Sequence, residues 1–158
     1  MILLVMGVAG AGKTTVASEV AKRKGWIFLD ADDFHSPANR EKMRRGIHLT
    51  DEDRIPWLDA IHAELERQYA QGKDVALACS ALSEAYRQRL IGQLPVKIVY
   101  LAGSRELIGE RLRERHGHFA GEAILDDQFA KLEEPEDAIV EDVSKSPDEI
   151  VQDVLARI

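Results

Sequence analysis

Gly7-Val8-Ala9-Gly10-Ala11-Gly12-Lys13-Thr14 fills every fixed position of the pattern G-x-x-x-x-G-K-[ST]. Each position has a mechanical reason. Glycines let the backbone curl until successive N–H groups point inward at phosphate oxygens. Lys13 reaches the β- and γ-phosphates as a mobile point charge, and the Thr14 hydroxyl suits a Mg²⁺ ion. Upstream, Ile2-Leu3-Leu4-Val5-Met6 is an unbroken apolar run, the pattern of a strand buried on both faces of a parallel sheet. Downstream, Val16, Ala17, Val20 and Ala21 recur at helical spacing until Gly25. Strand, glycine loop and helix together imply a nucleoside triphosphate site. Its contacts run from Gly7 through Val8, Ala9, Gly10, Ala11, Gly12, Lys13 and Thr14 to Thr15, with the helix dipole aimed at the anion.

Composition narrows the partners. The 158 residues predict one domain, with 45% hydrophobic and 31% charged residues. A net charge of −7 argues against a nucleic-acid partner. The sequence shows neither a signal peptide nor an apolar run of membrane-spanning length, so no membrane partner is expected. Cys79 is the single cysteine, which excludes a disulfide framework and fits a reducing cytoplasm.

Apolar strands at 2–6, 26–29, 75–79, 96–101 and 138–142 alternate with helical patterns near 13–24, 37–45, 56–71, 83–93, 104–115 and 147–157. Pro37, Pro56 and Pro147 are each placed in a first helical turn. The alternation predicts an α/β fold: a five-stranded parallel sheet with helices on both faces and ligands beyond the carboxyl ends of the strands.

A phosphate loop alone does not select a reaction. The strand at 75–79 ends in Cys79-Ser80-Ala81, without a carboxylate, whereas the second strand ends in Leu29-Asp30-Ala31-Asp32-Asp33. That cluster is the natural source of metal and proton chemistry: Asp30 toward Mg²⁺, Asp32 toward an acceptor hydroxyl. A regulatory GTPase would carry N-K-x-D and D-x-x-G, and neither string occurs. A non-catalytic nucleotide-binding module would not need the acids.

Beyond the acids come His35, Asn39-Arg40-Glu41-Lys42-Met43-Arg44-Arg45-Gly46 and Leu49-Thr50-Asp51-Glu52-Asp53-Arg54-Ile55-Pro56-Trp57-Leu58. Later blocks are Cys79-Ser80-Ala81-Leu82, Tyr86-Arg87, Arg115-His116-Gly117-His118-Phe119 and Gln128-Phe129-Ala130-Lys131-Leu132-Glu133-Glu134-Pro135. In order and spacing these blocks, from about Val5 to Pro135, resemble the gluconate kinases (gluconokinases). Ala9 and Ala11 stand where that family commonly has serines.

The resemblance implies a P-loop kinase fold, ATP and Mg²⁺ as cofactors, and gluconate as the phosphoryl acceptor. A related kinase acting on shikimate or another sugar acid is the alternative. Lys13, Asp32 and Arg115 are the implied catalytic residues, and Thr14 and Asp30 the metal-binding pair. Asp32, His35, Asn39, Lys42, Arg54, Arg87, His118 and Gln128 match the acceptor segments, which fits a polyhydroxy carboxylate needing cations and hydrogen-bonding groups. Arg40, Arg44 and Arg45 read as a solvated helix face, and Arg54 has a structural alternative in a pair with Asp51 or Asp53. Trp57 reads as core. Arg111 and Arg115, four residues apart, share a helix face leading into a mobile lid at about 116–130, with Arg111 toward the nucleotide. Related small kinases often form homodimers.

Overall fold

A computed structural model describes residues 1–116 and 122–158, without the side chains of Arg115, His116, Glu122 and Ala123. The chain runs β1 (Ile2–Met6), α1 (Lys13–Lys24), β2 (Ile27–Asp30), a short 3-10 turn (Ala31–Phe34), α2 (Pro37–Arg44) and α3 (Asp51–Ala70). It continues with β3 (Val75–Ala78), α4 (Glu84–Ile91), β4 (Val96–Ala102), α5 (Arg105–His116), α6 (Glu122–Lys131), β5 (Ile139–Asp142) and α7 (Pro147–Arg157).

The strands form one parallel sheet in the order β2-β3-β1-β4-β5. In β1, Leu3 and Val5 face a core built with Val16 and Val20 of α1 and Ile150 and Val154 of α7. Ile2, Leu4 and Met6 face the opposite core, with Leu58, Ile61 and Leu65 of α3 and Leu90 of α4. Burial on both faces is why β1 reads as a continuous apolar run. Each such Leu or Ile contributes roughly 1.5–3 kcal/mol by leaving water.

The chain leaves β1 for β2, returns to β3 between them, then crosses to β4 on the far side of β1. The strand order therefore reverses at the carboxyl end of β1, where a doubly wound sheet opens its crevice. Register puts Asp30 level with Ala78, so the acids leave β2 at the same rim as the phosphate loop.

Two elements differ from the sequence expectation. α3 starts at Asp51 rather than Pro56, because Thr50 caps it: the Asp53 amide donates to Thr50 Oγ1 at 3.1 Å and the Thr50 amide to Asp53 Oδ2 at 3.0 Å. Pro56 falls inside the helix, on an exposed face where water can serve the carbonyl that its missing N–H leaves free. The second difference is α6, which occupies part of the expected lid. Its Leu125 is fully buried and Phe129 packs on the α1 core, whereas Ile124 is exposed. So few inward apolar residues gave it little periodic signal.

Glu141 of β5 is fully buried beside Asp153 of α7. Burial, then Asp153, pushes the Glu141 carboxyl up to about 7, while the same contact holds Asp153 below the usual carboxylate range. Glu141 therefore keeps the proton of the pair, and Asp153 lies 3.3 Å from Arg157 Nη2.

Candidate active site

The phosphate loop is built by backbone shape. Gly10 has φ +83°, and a Cβ there would stand 2.8 Å from Leu112 Cγ of α5, so both conformation and space require glycine. Gly12, at φ +99°, is the left-handed residue from which α1 begins. Lys13 Nζ donates to the Val8 carbonyl at 3.1 Å, curled across the loop. Burial pushes the Lys13 ammonium down, against an acidic counterweight. The Cys79 thiol, pushed up to about 12 by burial, is uncharged at neutral pH, so that counterweight comes from Asp32 and Asp30.

The loop and the acid turn meet directly. Thr14 Oγ1 donates to Asp30 Oδ2 at 3.3 Å, and the Asp32 amide donates to Asp30 Oδ1 at 3.0 Å. Arg40 grips the same turn from α2: Nη2 donates to the Asp32 carbonyl and Nε to the His35 carbonyl, each at 3.2 Å. Arg40 thus positions the turn, a role its place on a charged helix face did not reveal. The Asp32 carboxylate keeps no hydrogen-bonding partner among the described residues and lines a cavity of about 290 Å³ with Lys13, Thr14, Asp30, Trp57 and Gln128.

His35 stacks on Trp57, centroids 4.4 Å apart and planes 11° from parallel. Trp57 Nε1 donates to the Ala31 carbonyl at 2.7 Å, fixing the indole under the acid turn. Trp57 is therefore both core residue and cavity wall. Burial pushes the His35 imidazole down, favouring the neutral ring, and its Nδ1 is buried without a partner. The cap of α2 is Ser36, whose Oγ accepts from the Asn39 amide.

The remaining acceptor-side residues divide sharply. Asn39 Nδ2 donates to the Asp53 carbonyl at 2.9 Å, and Lys42 Nζ donates to both Asp53 carboxylate oxygens at 2.9 and 3.0 Å. Both tie α2 to the start of α3. Arg54 does not pair with Asp51 directly. Its Nη1 donates to Tyr86 Oη at 3.1 Å, and the Tyr86 hydroxyl donates to Asp51. The hydroxyl holds the guanidinium in place without neutralising it.

Arg87 corrects the sequence expectation of substrate contact. Only 2% exposed, it donates from Nη1 to the Ala81 and Leu82 carbonyls at 2.7 and 3.0 Å. Its Nη2 donates to the Glu133 carbonyl at 2.7 Å and Glu84 Oε2 at 2.9 Å. Ala81 has φ +44°, the left-handed region for a residue with a Cβ. Arg87 locks this strained turn beside the cavity rather than facing a ligand.

Gln128 is on the loop itself: the Ala9 amide donates to Gln128 Oε1 at 2.6 Å. Arg111 lies elsewhere, lining a second cavity of about 330 Å³ with Gly10, Thr15, Leu112, Lys145 and Pro147. Lys145 and Pro147 escaped the sequence reading, since Pro147 signalled only the start of α7. His118 and the Arg115 side chain lie outside the described residues. No group of three or more metal-ligating side chains occurs among those described, and Thr14 with Asp30 is the donor set at the loop. That set fits Mg²⁺, which takes few protein ligands and completes its shell with phosphate oxygens and water.

A doubly wound sheet with a phosphate loop at its switch point and a free carboxylate across the cavity defines a P-loop small-molecule kinase. Comparisons agree and go further. The family described as an AAA domain matches residues 2–135. A probable gluconokinase of Mus musculus is 45% identical, over 99% of this chain and 97% of its own length. A gluconokinase of Gluconobacter oxydans (strain 621H) is also 45% identical, over 97% of this chain and 88% of its own. The solved gluconokinase of Sinorhizobium meliloti 1021 superposes with a TM-score of 0.85 at 38% identity, covering 98% of this chain and 89% of that one. The chain belongs to the gluconokinase family.

Proposed function

We infer that the chain transfers the γ-phosphoryl group of ATP to the terminal hydroxyl of D-gluconate, giving 6-phospho-D-gluconate and ADP. The observation that carries this is the junction of the two halves at Thr14 and Asp30, which sets the unpartnered Asp32 carboxylate across the cavity from Lys13.

Lys13 and the loop amides between Gly7 and Thr15 that the protein leaves unengaged hold the phosphates, while the Ala9 amide borders them with its N–H on Gln128. The cavity bounded by Arg111 and Pro147 suits the nucleoside, since it continues from Gly10 and Thr15 on the side away from Asp32. Thr14 and Asp30 would hold Mg²⁺, which neutralises charge on the phosphate oxygens when bound. Asp32 orients the C6 hydroxyl and accepts its proton as the oxygen bonds to phosphorus and the bond to the ADP oxygen breaks. Neutral His35 offers a hydroxyl-sized hydrogen-bonding group, and Arg54 a cation for the gluconate carboxylate. Lys42 and Asn39 act at one remove, by fixing α2 against α3. Arg115, one helical turn beyond Arg111, and His118 are the candidates to stabilise the transferring group. The free thiol of Cys79 accords with a cytoplasmic setting. A homodimer is the assembly to test by sedimentation.

ADP release coupled to gluconate addition tests the assignment. Turnover with gluconate well above that with shikimate and other polyhydroxy acids is expected. Strong turnover with shikimate and none with gluconate would sink the substrate assignment while leaving the kinase intact.

A further inference from the structure

Gln128 sits on the inward face of α6, at i+3 from buried Leu125 and next to half-buried Phe129. A polar residue within an apolar face needs a partner, and this one has a backbone amide of the phosphate loop. The donor is Ala9 N–H, so the atom facing it must be the amide oxygen, which settles the orientation of the side chain. The other end of the amide, with two N–H donors, is then free for the cavity that Gln128 lines.

The two cavities show which end of the nucleotide this is. Gly10, Gly12 and Thr15 border both. Ala9 and Gln128 border only the one that contains Lys13, Asp30 and Asp32. Neither touches the one bounded by Arg111 and Pro147. Gln128 therefore stands where the terminal phosphate and the acceptor meet. The placement is firm: Leu125 is fully buried, and Arg105 Nε donates to Asp126 Oδ1 at 2.7 Å, tying α6 to α5.

We propose that Gln128 is a catalytic residue of the phosphoryl transfer, its oxygen anchored on the Ala9 amide and its Nε2 donating to the γ-phosphoryl group in flight. Charge developing on the equatorial oxygens is what a fixed donor stabilises most. A neutral donor does so without drawing off the Asp32 carboxylate, as another cation would. The proposal rests on the kinase reading above and adds to it a residue first expected to contact the acceptor.

Two variants separate the ends of the amide. Gln128→Glu keeps an oxygen for Ala9, removes the donor and adds a negative charge; Gln128→Met fills the position with neither group and no charge, so it alone reads the lost donor free of repulsion. Both should lower kcat by about 10²–10³-fold, with KM for gluconate and Kd for ADP changed by less than about threefold. Kd for a non-hydrolysable ATP analogue should rise more than Kd for ADP. Tm for Gln128→Glu, recorded alongside, shows that the fold is kept.

A raised gluconate KM at unchanged kcat would make Gln128 an acceptor ligand and overturn the proposal. Tighter nucleotide binding at unchanged kcat would make it a plug of the empty loop. Wild-type turnover in Gln128→Glu, or equal loss of ADP binding in both variants, would leave it a scaffold only. If the unaltered chain turns over a different acceptor, the same comparison is run on that acceptor, so failure of the substrate assignment and failure of this proposal remain distinct.

Discussion

The phosphate half and the acceptor half of the cleft are made of different materials. From Gly7 to Thr15 the groups proposed to meet the nucleotide are mostly backbone amides, aimed by glycines at positive φ, with close contacts besides at Gly7 and Gly10. Beyond Asp30 the groups proposed to meet the acceptor are side chains, and most of the polar side chains there are engaged with one another: Arg40 on the acid turn, Asn39 and Lys42 on Asp53, Arg54 on Tyr86. A backbone site is complete once the chain turns correctly. A side-chain site is decided by which of several competing partners each group takes.

The sharpest way to break this comparison is at Asp32, whose carboxylate lines the cavity without a partner among the described residues. Asp32→Asn should lower kcat by roughly 10²–10⁴-fold while ATP affinity holds within about threefold. Transient kinetics and nucleotide titration check the two halves separately. Loss of ATP binding would mean that the halves are not separable.

Arg87 tests the opposite extreme, a cation wholly absorbed by its surroundings. Arg87→Met removes the donors of the Ala81, Leu82 and Glu133 carbonyls and should cost about 3–5 kcal/mol in urea unfolding. At a temperature where the variant stays folded, KM for gluconate should be unchanged. A raised KM for gluconate without lost stability would return Arg87 to the substrate.

Between these limits lies Arg54, held but not neutralised. Arg54→Ala should raise KM for gluconate by about 10–100-fold, the worth of a charge-assisted contact, with KM for ATP unaltered. Lys42→Met should raise it by less, since Asp53 already holds that ammonium at 2.9 Å. Equal effects would mean that Lys42 leaves Asp53 when substrate enters.

What the sequence disclosed follows the same division. The loop, the buried strand before it and the helix after it were legible because local rules fix them: apolar runs, glycine positions, 3.6-residue spacing. Asp30 and Asp32 were legible from their place at a strand end. Arg87 was not, because its chemistry depends on three carbonyls, one of them on Glu133, far along the chain. Nor was the Tyr86 bridge, which joins residues from α3 and α4. The early start of α3 was readable: Thr50 and Asp53 have capping-box spacing, but Pro56 drew the boundary inward.

The smallest expected effect carries opposite signs at two carboxylates, one on the acceptor side and one in the core under β5. Asp53, hydrogen-bonded by the Thr50 amide and then by Lys42, is held below the usual carboxylate range. A carboxyl depressed on folding stabilises above its unfolded value of 3.8 and loses that contribution as pH falls through the lower folded value. Asp53→Asn should therefore lower Tm at pH 7 by on the order of 3 °C, a deficit that shrinks below pH 3.8. Glu141 of β5 is raised from 4.5 to about 7, so its contribution is present below 4.5 and lost as pH rises through 7. Glu141→Gln should gain on the wild type by on the order of 3 °C at pH 8, and the gain should disappear toward pH 4.5. Lys145, 3.8 Å from Glu141, works against that shift, and salt bears on the two groups unequally, since Asp53 is partly exposed and Glu141 is not. Raising ionic strength should thus flatten the acid limb of the Tm profile and leave the alkaline limb in place. Equal damping of both limbs would mean that the Glu141 pair opens to water, and that the packing of β5 on α7 is less closed than its burial implies.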